Sequence, residues 1–287
     1  MPKSRKTVRI KRKQRVQKTR KSIGLLYVFG VVFIISTLLF FAFKLSLLDK
    51  FSYVKETKEG GAEILVYDPK NTSVVSILIP GETQLELSFN LGDYRLKNAW
   101  KLSESEDLEG VLIVRSLVKN FSIPVYLYKT ESKTNLNIFQ RIKVWMLDSG
   151  TGGVSESQFD LVDTSVLKAK KLLDGNRGFV VYGEIPAYIT VNFEQQSFSE
   201  FVPMVDIVDK TGDYKISDTV SGVFSTMGAK VSSYSKQPPQ KLNCVVSGKN
   251  PEQVKITSKI FDCHIGQKPE GESDIRLEIG TDFVNNF

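Results

Sequence analysis

The pattern of apolar positions sets one segment apart from the rest of the chain. Residues 23–43, IGLLYVFGVVFIISTLLFFAF, contain no charged side chain, and the nearest charges are those of Lys21 and Lys44. A helix that rises about 1.5 Å per residue extends roughly 30 Å over this length, which is the thickness of a bilayer's hydrocarbon core. A cleaved signal peptide has an apolar core of only about 7–15 residues, followed by a small-residue cleavage site that is missing here. The pattern therefore predicts one uncleaved transmembrane helix over 23–43.

Charge is distributed unevenly on the two sides of this segment. The chain has 39 Lys and Arg against 32 Asp and Glu, and eleven of the basic residues lie in 1–22, where no acidic residue occurs. Subtracting those eleven leaves 28 basic against 32 acidic residues for the rest of the chain. By the positive-inside rule, 1–22 is a cytoplasmic tail and the chain beyond Lys44 is extracytoplasmic. Because a basic segment beside a span is attracted to anionic lipid, we expect a single-pass cell membrane protein and no nucleic acid partner.

Beyond a connector over 44–61, short apolar patterns predict a mixed α/β outer domain over 62–200. The apolar runs AEILVY and VVSILI flank the turn-forming stretch DPKNTS, which is typical of a β-hairpin. Further strands are predicted for TQLELSF, VYLYK and FVVYGEIPAYITVNFE.

Four helices are predicted for the same domain from apolar residues that recur three and four apart. They cover RLKNAWKL, SESEDLEGVLIVRSLVKNF, NIFQRIKVWML and VDTSVLKAKKLLDGNRG. The third of these helices is expected to present Phe139, Ile142 and Trp145 to the core.

The pattern over 201–287 is strand, helix, strand, strand, helix, strand, which describes a small two-layer α+β domain. The expected fold class is therefore α+β. It comprises an N-terminal transmembrane helix, a mixed α/β outer domain and a small C-terminal βαββαβ domain.

Two cysteines, Cys244 and Cys263, lie on the predicted outer side, where disulfides are permitted. Joined, they would close a loop of about 19 residues and stabilise the fold by about 3 kcal/mol in the chain-entropy model. Two buried thiols are the alternative, because the sequence does not show the geometry that a disulfide requires. A structural zinc site is not expected, because His264 is the only histidine and no fourth ligand is near.

Residues 209–212, DKTG, lie at the end of the first predicted strand of the last domain, and residues 279–282, IGTD, lie at the end of its last predicted strand. These two stretches resemble the C-terminal domain often attached to LytR–CpsA–Psr proteins. That domain has a strand ending in Asn-Gly-Thr-Gly or similar, then a helix, a glycine and a strand, and later a strand that ends in glycine and aspartate. Residues 209–212, DKTG, and 279–282, IGTD, match those places.

The outer domain resembles the catalytic domain of the same family. The hallmark of that domain is a strand running into Ile-Pro-Arg-Asp-Thr, followed by a helix start similar to Lys-Ile-Asn-Ala. Residues 79–83, IPGET, and 95–99, RLKNA, resemble both motifs in the same order. The resemblance implies an enzyme that transfers glycopolymers from a polyprenyl-pyrophosphate carrier to peptidoglycan. It makes Glu82 and Arg95 the candidate catalytic residues, with Mg²⁺ as cofactor only if that activity is present.

The sequence departs from the family pattern at the charged positions. Gly81 stands at the arginine place and Glu82 at the aspartate place, while the family's early Asp-and-Arg motif and its late Arg-Gln pair have no counterpart. Arginine holds a pyrophosphate with a planar fork of donors, which glycine cannot replace. We therefore interpret IPGET as a β-turn that has lost the charges of an active site.

These observations favour a membrane-anchored envelope protein that binds rather than catalyses. The expected partners are cell-wall glycan, a polyprenyl-pyrophosphate-linked precursor or another envelope protein. An active Mg²⁺-dependent phosphotransferase that uses Glu82 and Arg95 is one alternative. A bitopic cell-division scaffold is another, since such proteins share the basic tail, single span and small outer α+β domains.

Overall fold

The computed structural model describes residues 29–40, 50–71, 73–148, 155–172, 174–213, 215–267 and 273–287. The basic tail predicted over 1–22 lies outside these residues. The chain forms two compact units, Met1–Asp49 and Lys50–Phe287, and each is described by itself.

In the first unit, residues 29–40 form helix α1. The remainder of the predicted span, 23–28 and 41–43, lies outside the described residues. Within the described part of the chain, no helix combines the length and the apolar character needed to cross a bilayer.

The second unit begins with a five-stranded sheet, here called the first sheet, whose strand order is β6-β1-β2-β3-β7. Its strands are β1 (Phe51–Glu56), β2 (Ala62–Asp68), β3 (Ser73–Ile79), β6 (Leu127–Lys129) and β7 (Ser155–Asp160). The predicted hairpin is confirmed, because β2 and β3 pair antiparallel with Ala62 opposite Ile79. Strand β1 lies inside the predicted connector 44–61 and pairs with β2 along its whole length, so this part of the segment belongs to the sheet.

A four-stranded sheet, here called the corner sheet, has the strand order β5-β4-β9-β8. Its strands are β4 (Thr83–Leu87), β5 (Gly92–Arg95), β8 (Leu167–Lys171) and β9 (Arg177–Val181). The helix predicted for residues 162–178 is wrong, because this stretch forms the β8–β9 hairpin. Its lysines and leucines suit a helix, but the turn at Asp174–Asn176 and pairing with the β-branched Val180 and Val181 favour strands.

Five α-helices and two short 3-10 helices complete the described residues of this part of the unit. The α-helices are α2 (Leu96–Ser105), α3 (Val111–Phe121), α4 (Ile138–Asp148), α5 (Ala187–Thr190) and α6 (Gln196–Ser199), and the 3-10 helices are Leu161–Asp163 and Val191–Phe193. Helices α2 and α3 agree with the predicted helices, although α3 begins only at Val111. The strand predicted for FVVYGEIPAYITVNFE is wrong beyond Val181, because Pro186 precedes the short helix α5.

Helix α4 forms where it was predicted, but it turns a different face to the protein. Val144 is buried, whereas Ile142 and Trp145, which were expected inside, are exposed, and Phe139 is half-buried. The position of the helix against β1 decides which face is covered, and that position is a tertiary property that the spacing of apolar residues does not contain.

The last part of the unit is a sheet with the strand order β11-β10-β14-β12-β13, here called the C-terminal sheet. Its elements are β10 (Met204–Lys210), α7 (Ile216–Met227), β11 (Lys230–Lys236), β12 (Cys244–Gly248), α8 (Pro251–Phe261), β13 (His264–Ile265), β14 (Ile275–Gly280) and α9 (Thr281–Asn286). This order agrees with the predicted βαββαβ pattern, with β13 and α9 added. Helix α8 begins at Pro251 because the side chain of Asn250 accepts the backbone N–H of Glu252 at 2.9 Å.

One core joins the corner sheet to the C-terminal sheet. A single cluster of buried side chains includes Leu87, Leu112, Ile207 and Phe287, and the hydroxyl of Ser88 donates to the carbonyl of Phe287 at 2.8 Å. Residues on both sides of the predicted boundary between 200 and 201 therefore contribute to one compact unit.

Candidate functional site

The corner at residues 79–83 is a β-turn that connects β3 to β4. The backbone N–H of Thr83 donates to the carbonyl of Pro80 at 3.0 Å, which is the hydrogen bond that defines such a turn. The carbonyl of Gly81 accepts the N–H of Lys97 at 3.0 Å. The turn is thereby fixed to the first turn of α2.

Gly81 is packed against the loop between β1 and β2. A Cβ atom at this position would lie 2.7 Å from the carbonyl oxygen of Glu59 and 3.0 Å from the carbonyl carbon of Gly60. Both are backbone atoms, which cannot move aside as the end of a flexible side chain can. The arginine that the family places here has no room in this chain, so the residue is determined by packing.

Arg95 lies at the end of β5, immediately before α2, and its side chain is only 7% exposed. Its Nε and Nη2 atoms both donate to the carboxylate of Asp174, each at 2.8 Å. Its Nη1 atom donates to Glu82 and to the carbonyl of Arg177. This is a bidentate pair with a second carboxylate added, an arrangement that fixes a guanidinium firmly.

Lys97 completes the cluster, since its Nζ atom donates to the second oxygen of Glu82. The cluster, here called the corner network, thus consists of Glu82, Arg95, Lys97 and Asp174. Two cations face two carboxylates, so the formal charges of these four groups cancel.

The pKa shifts follow from these contacts. The hydrogen bond from Lys97, with further help from Arg95, lowers the pKa of the Glu82 carboxyl. The Arg95 guanidinium lowers the pKa of Asp174 to about 2, and Asp174 in turn raises the pKa of Arg95. All three groups are therefore charged at neutral pH, which suits an ion-pair network, and neither carboxyl group of the corner network has the raised pKa of a general acid.

The corner network does not fit a divalent cation. Its two carboxylates already accept hydrogen bonds from Arg95 and Lys97, and a metal ion between them would be repelled by both cations. Among the residues that the structure describes, no group of three or more His, Cys, Asp or Glu side chains is arranged to hold a metal ion.

The structure brings the two candidate catalytic residues, Glu82 and Arg95, into direct contact. Sequence reasoning missed Asp174, because this residue was placed in a predicted helix. The stretch Asp-Gly-Asn at 174–176 carries the signal of a hairpin turn and could have indicated it. Lys97 lies within the RLKNA motif, but no role was predicted for it.

Cys244 and Cys263 form a disulfide with an S–S distance of 2.03 Å. It joins the start of β12 to the residue immediately before β13. Both cysteines are buried, and His264 beside them is exposed.

Two clefts lie away from the corner network. One of about 220 Å³ is bordered by acidic side chains, among them Glu56, Glu104 and Glu109. The other, of about 310 Å³, is lined by residues of the loop 129–136 and of α4. Glu82 and Arg95 line neither cleft.

No family model and no curated protein matches the chain. Among solved structures, the crystal structure of B. subtilis TagT is similar at 8% identity, covering 75% of this chain and 92% of that chain, with a TM-score of 0.24. The LytR-CPS2A-psr family protein YwtF (TagT) with bound octaprenyl pyrophosphate lipid is similar at 10% identity, covering 75% and 90%, with a TM-score of 0.24. TagT bound to LI-WTA is similar at 10% identity, covering 74% and 91%, with a TM-score of 0.23.

These three structures belong to the family that the sequence motifs resemble. TM-scores of 0.23–0.24 are too low for the likenesses to support a role for any residue of this chain.

Proposed function

We propose that this chain is a membrane-anchored, extracytoplasmic protein of the cell envelope that has lost phosphotransfer activity. Its function is to bind cell-wall glycan, a lipid-linked glycan precursor or another envelope protein. The observation that carries the proposal is the hydrogen bonding of Arg95. Its guanidinium already donates to Asp174, to Glu82 and to a backbone carbonyl of this chain.

Phosphotransfer from a pyrophosphate requires cations that neutralise charge as the leaving group departs. In the corner network, each cation already faces a carboxylate of this chain. A pyrophosphate would have to displace Asp174 and Glu82 from Arg95 and would then meet their negative charges at close range. The packing around Gly81 also leaves no space for a cationic side chain at this position of the turn.

Anchoring in the membrane is part of the proposal. It is supported by the 21 uncharged residues of 23–43 and by the eleven basic residues that precede them. The expected result is that the full-length chain floats with phospholipid vesicles and stays with them in high salt and alkaline carbonate. Recovery in the soluble fraction after carbonate treatment would contradict the anchor.

The loss of activity is tested with full-length protein, a polyprenyl-pyrophosphate oligosaccharide and Mg²⁺. A lipid-linked precursor is the first ligand to test, because residues 79–83 and 95–99 resemble the motifs of a family that transfers glycopolymers from such a carrier. We expect the precursor to be retained on the protein without release of its glycan. Retention is measured by co-flotation, and release is measured by chromatography of the labelled glycan.

The variant Glu82→Gln tests the alternative that the chain is an active phosphotransferase. Glycan release that Glu82→Gln abolishes, and that the exposed control Glu184→Gln leaves unchanged, would show a working phosphotransferase and overturn the proposal. A precursor that is neither cleaved nor retained would exclude this ligand and leave glycan or an envelope protein as the partner.

A further inference from the structure

Helix α4 carries an apolar stripe on its outer side. Ile138 and Trp145 are 65% and 69% exposed, and Ile142 and Met146 are 38% and 39% exposed. Residues at intervals of four, seven and eight positions lie on one face of a helix. Single exposed apolar residues are common, but a contiguous group indicates a contact surface.

The opposite side of α4 is fixed to the first sheet. Val144 and Lys143 are buried, and Val144 packs in a cluster with Phe51 and Leu136. The Nζ atom of Lys143 lies 5.4 Å from the centroid of the Phe51 ring and 5.8 Å from that of Tyr67. The stripe is therefore held in place beside the start of β1.

The start of β1 follows the apolar segment 23–43 closely along the chain. Seven residues, 44–50, separate Phe43 from Phe51. Phe43 and Phe51 are therefore eight Cα–Cα steps apart, and a fully extended chain of this length reaches at most about 29 Å. With 23–43 in the bilayer, as proposed above, connectivity alone keeps Phe51 within this distance of the end of the apolar segment.

A cleft of about 310 Å³ adjoins the stripe, and its lining includes Arg141 and Trp145 together with Lys129, Lys133 and Glu131. The Nζ atom of Lys133 is paired with Glu109 at 2.9 Å, so the basic group that bears on the stripe is that of Arg141. Arg141 donates from Nε to the carbonyl of Leu136 at 3.1 Å, so its charge is not neutralised by that contact. Basic side chains beside an apolar face and an exposed tryptophan are typical of helices that lie in a membrane interface.

We propose that the stripe on α4 lies on the phospholipid surface of the membrane. Ile138, Ile142 and Trp145 enter the boundary between headgroups and acyl chains, and Arg141 faces the headgroup phosphates. This inference rests on the membrane anchoring proposed above. It adds a second contact with the lipid, which orients the folded unit on the bilayer.

The experiment uses the two tryptophans as depth probes. Trp145 is exposed on the stripe, whereas Trp100 is buried and donates to the carbonyl of Gly61 at 3.1 Å. Full-length protein is placed in vesicles of phosphatidylcholine with a minority of phosphatidylglycerol, prepared with ordinary or brominated acyl chains. Bromine quenches tryptophan only at close range. We expect brominated lipid to reduce the emission of the wild-type chain and to leave that of Trp145→Phe unchanged.

A matched pair of double variants tests the stripe itself. Ile138→Ser with Ile142→Ser is expected to weaken the quenching, because the apolar area that holds Trp145 at the interface is lost. Phe201→Ser with Val202→Ser removes apolar side chains that are 77% and 58% exposed elsewhere in the unit, and it is expected to leave quenching unchanged.

The possible failures are distinguishable. A chain that floats with the vesicles but shows equal emission in ordinary and brominated lipid contradicts the contact of α4 and leaves the anchor intact. Equal loss of quenching in the two double variants also contradicts it. A chain that does not float with the vesicles contradicts both the membrane anchor and the contact of α4 with lipid.

Discussion

For two regions, the turn at Pro80–Thr83 and helix α4, the structure reverses what the sequence pattern indicated. The turn carries charged residues and a family motif, yet its glycine is packed against backbone and its charges are paired with one another. Helix α4 has an ordinary apolar repeat, yet much of its apolar surface faces outward. A motif of charged residues can thus serve to stabilise the fold, whereas part of an apolar repeat can be exposed on the surface.

The difference lies in what surrounds each region. Around the turn, the β1–β2 loop, the start of α2 and the β8–β9 hairpin supply backbone atoms and Asp174. Around α4, one face packs against β1 and β2, and the side chains of Ile138, Ile142 and Trp145 on the other face are exposed. The local sequence determines which charged and apolar side chains are present. The elements that pack around these side chains determine whether they form contacts within the protein.

The largest expected effect is at Gly81. We expect Gly81→Ala to lower the free energy of unfolding by about 3 kcal/mol, because its Cβ would overlap backbone atoms that cannot shift without moving the turn. Denaturant unfolding in detergent micelles, followed by the emission of the buried Trp100, measures this change. The control is Gly175→Ala, where the backbone φ of +82° is strained for alanine but the space is open; it should cost about 1 kcal/mol.

Equal losses for the two glycine variants would contradict this account. The close approach at Gly81 would then be relieved by small shifts, and an arginine at this place would be sterically possible.

The sequence predicted those parts of the fold and of the candidate site that depend on a local pattern, and it missed those that depend on tertiary packing. The hairpin β2–β3, helices α2 and α3 and the βαββαβ order were predicted because their patterns are local. The β8–β9 hairpin was missed because the lysine-rich stretch 168–171 suits a helix until it pairs with β9. For the site, the neighbouring motifs indicated Glu82 and Arg95, but Asp174 comes from 79 positions beyond Arg95, and no local pattern connects them.

A second effect concerns the inner face of α4. Val144 is 2% exposed in the cluster with Phe51 and Leu136, so Val144→Ala should lower the free energy of unfolding by about 2 kcal/mol through lost burial and a small cavity. Denaturant unfolding measures this value. A loss below about 0.5 kcal/mol, the range of surface substitutions, would mean that α4 is not packed on β1 as described.

A third effect tests whether the corner network is structural. Arg95→Met keeps the length of the side chain but leaves Asp174 and Glu82 without their main partner. Removing one member of a buried ion pair can cost 3–5 kcal/mol. Because the two carboxylates are 47% and 42% exposed to solvent, we expect about 1–2 kcal/mol instead. Arg177→Met, an exposed arginine on the same hairpin, is the control and should change stability little.

The pH dependence of stability offers a smaller but more specific measure. In the folded chain the pKa of Asp174 is lowered to about 2 from 3.8, and that of Glu82 is lowered from 4.5. Groups with lowered folded pKa values bind fewer protons when folded, so they add stability above their unfolded pKa values, and this stability is lost as pH falls. We expect the free energy of unfolding to decrease between about pH 4.5 and pH 2. Arg95→Met should make this decrease shallower, and an unchanged slope would contradict the pairing.

The smallest expected effect on stability is on the outer face of α4. It is compared with the effect of Val144→Ala on the inner face of the same helix. Ile138→Ser removes an apolar side chain that is 65% exposed, so it should change the free energy of unfolding by no more than about 0.5 kcal/mol. A contact surface for lipid has to be dispensable for folding, whereas a core position cannot be. If Ile138→Ser destabilised the protein in detergent as much as Val144→Ala does, the stripe would be part of the protein's own core, and its role at the membrane surface would have to be abandoned.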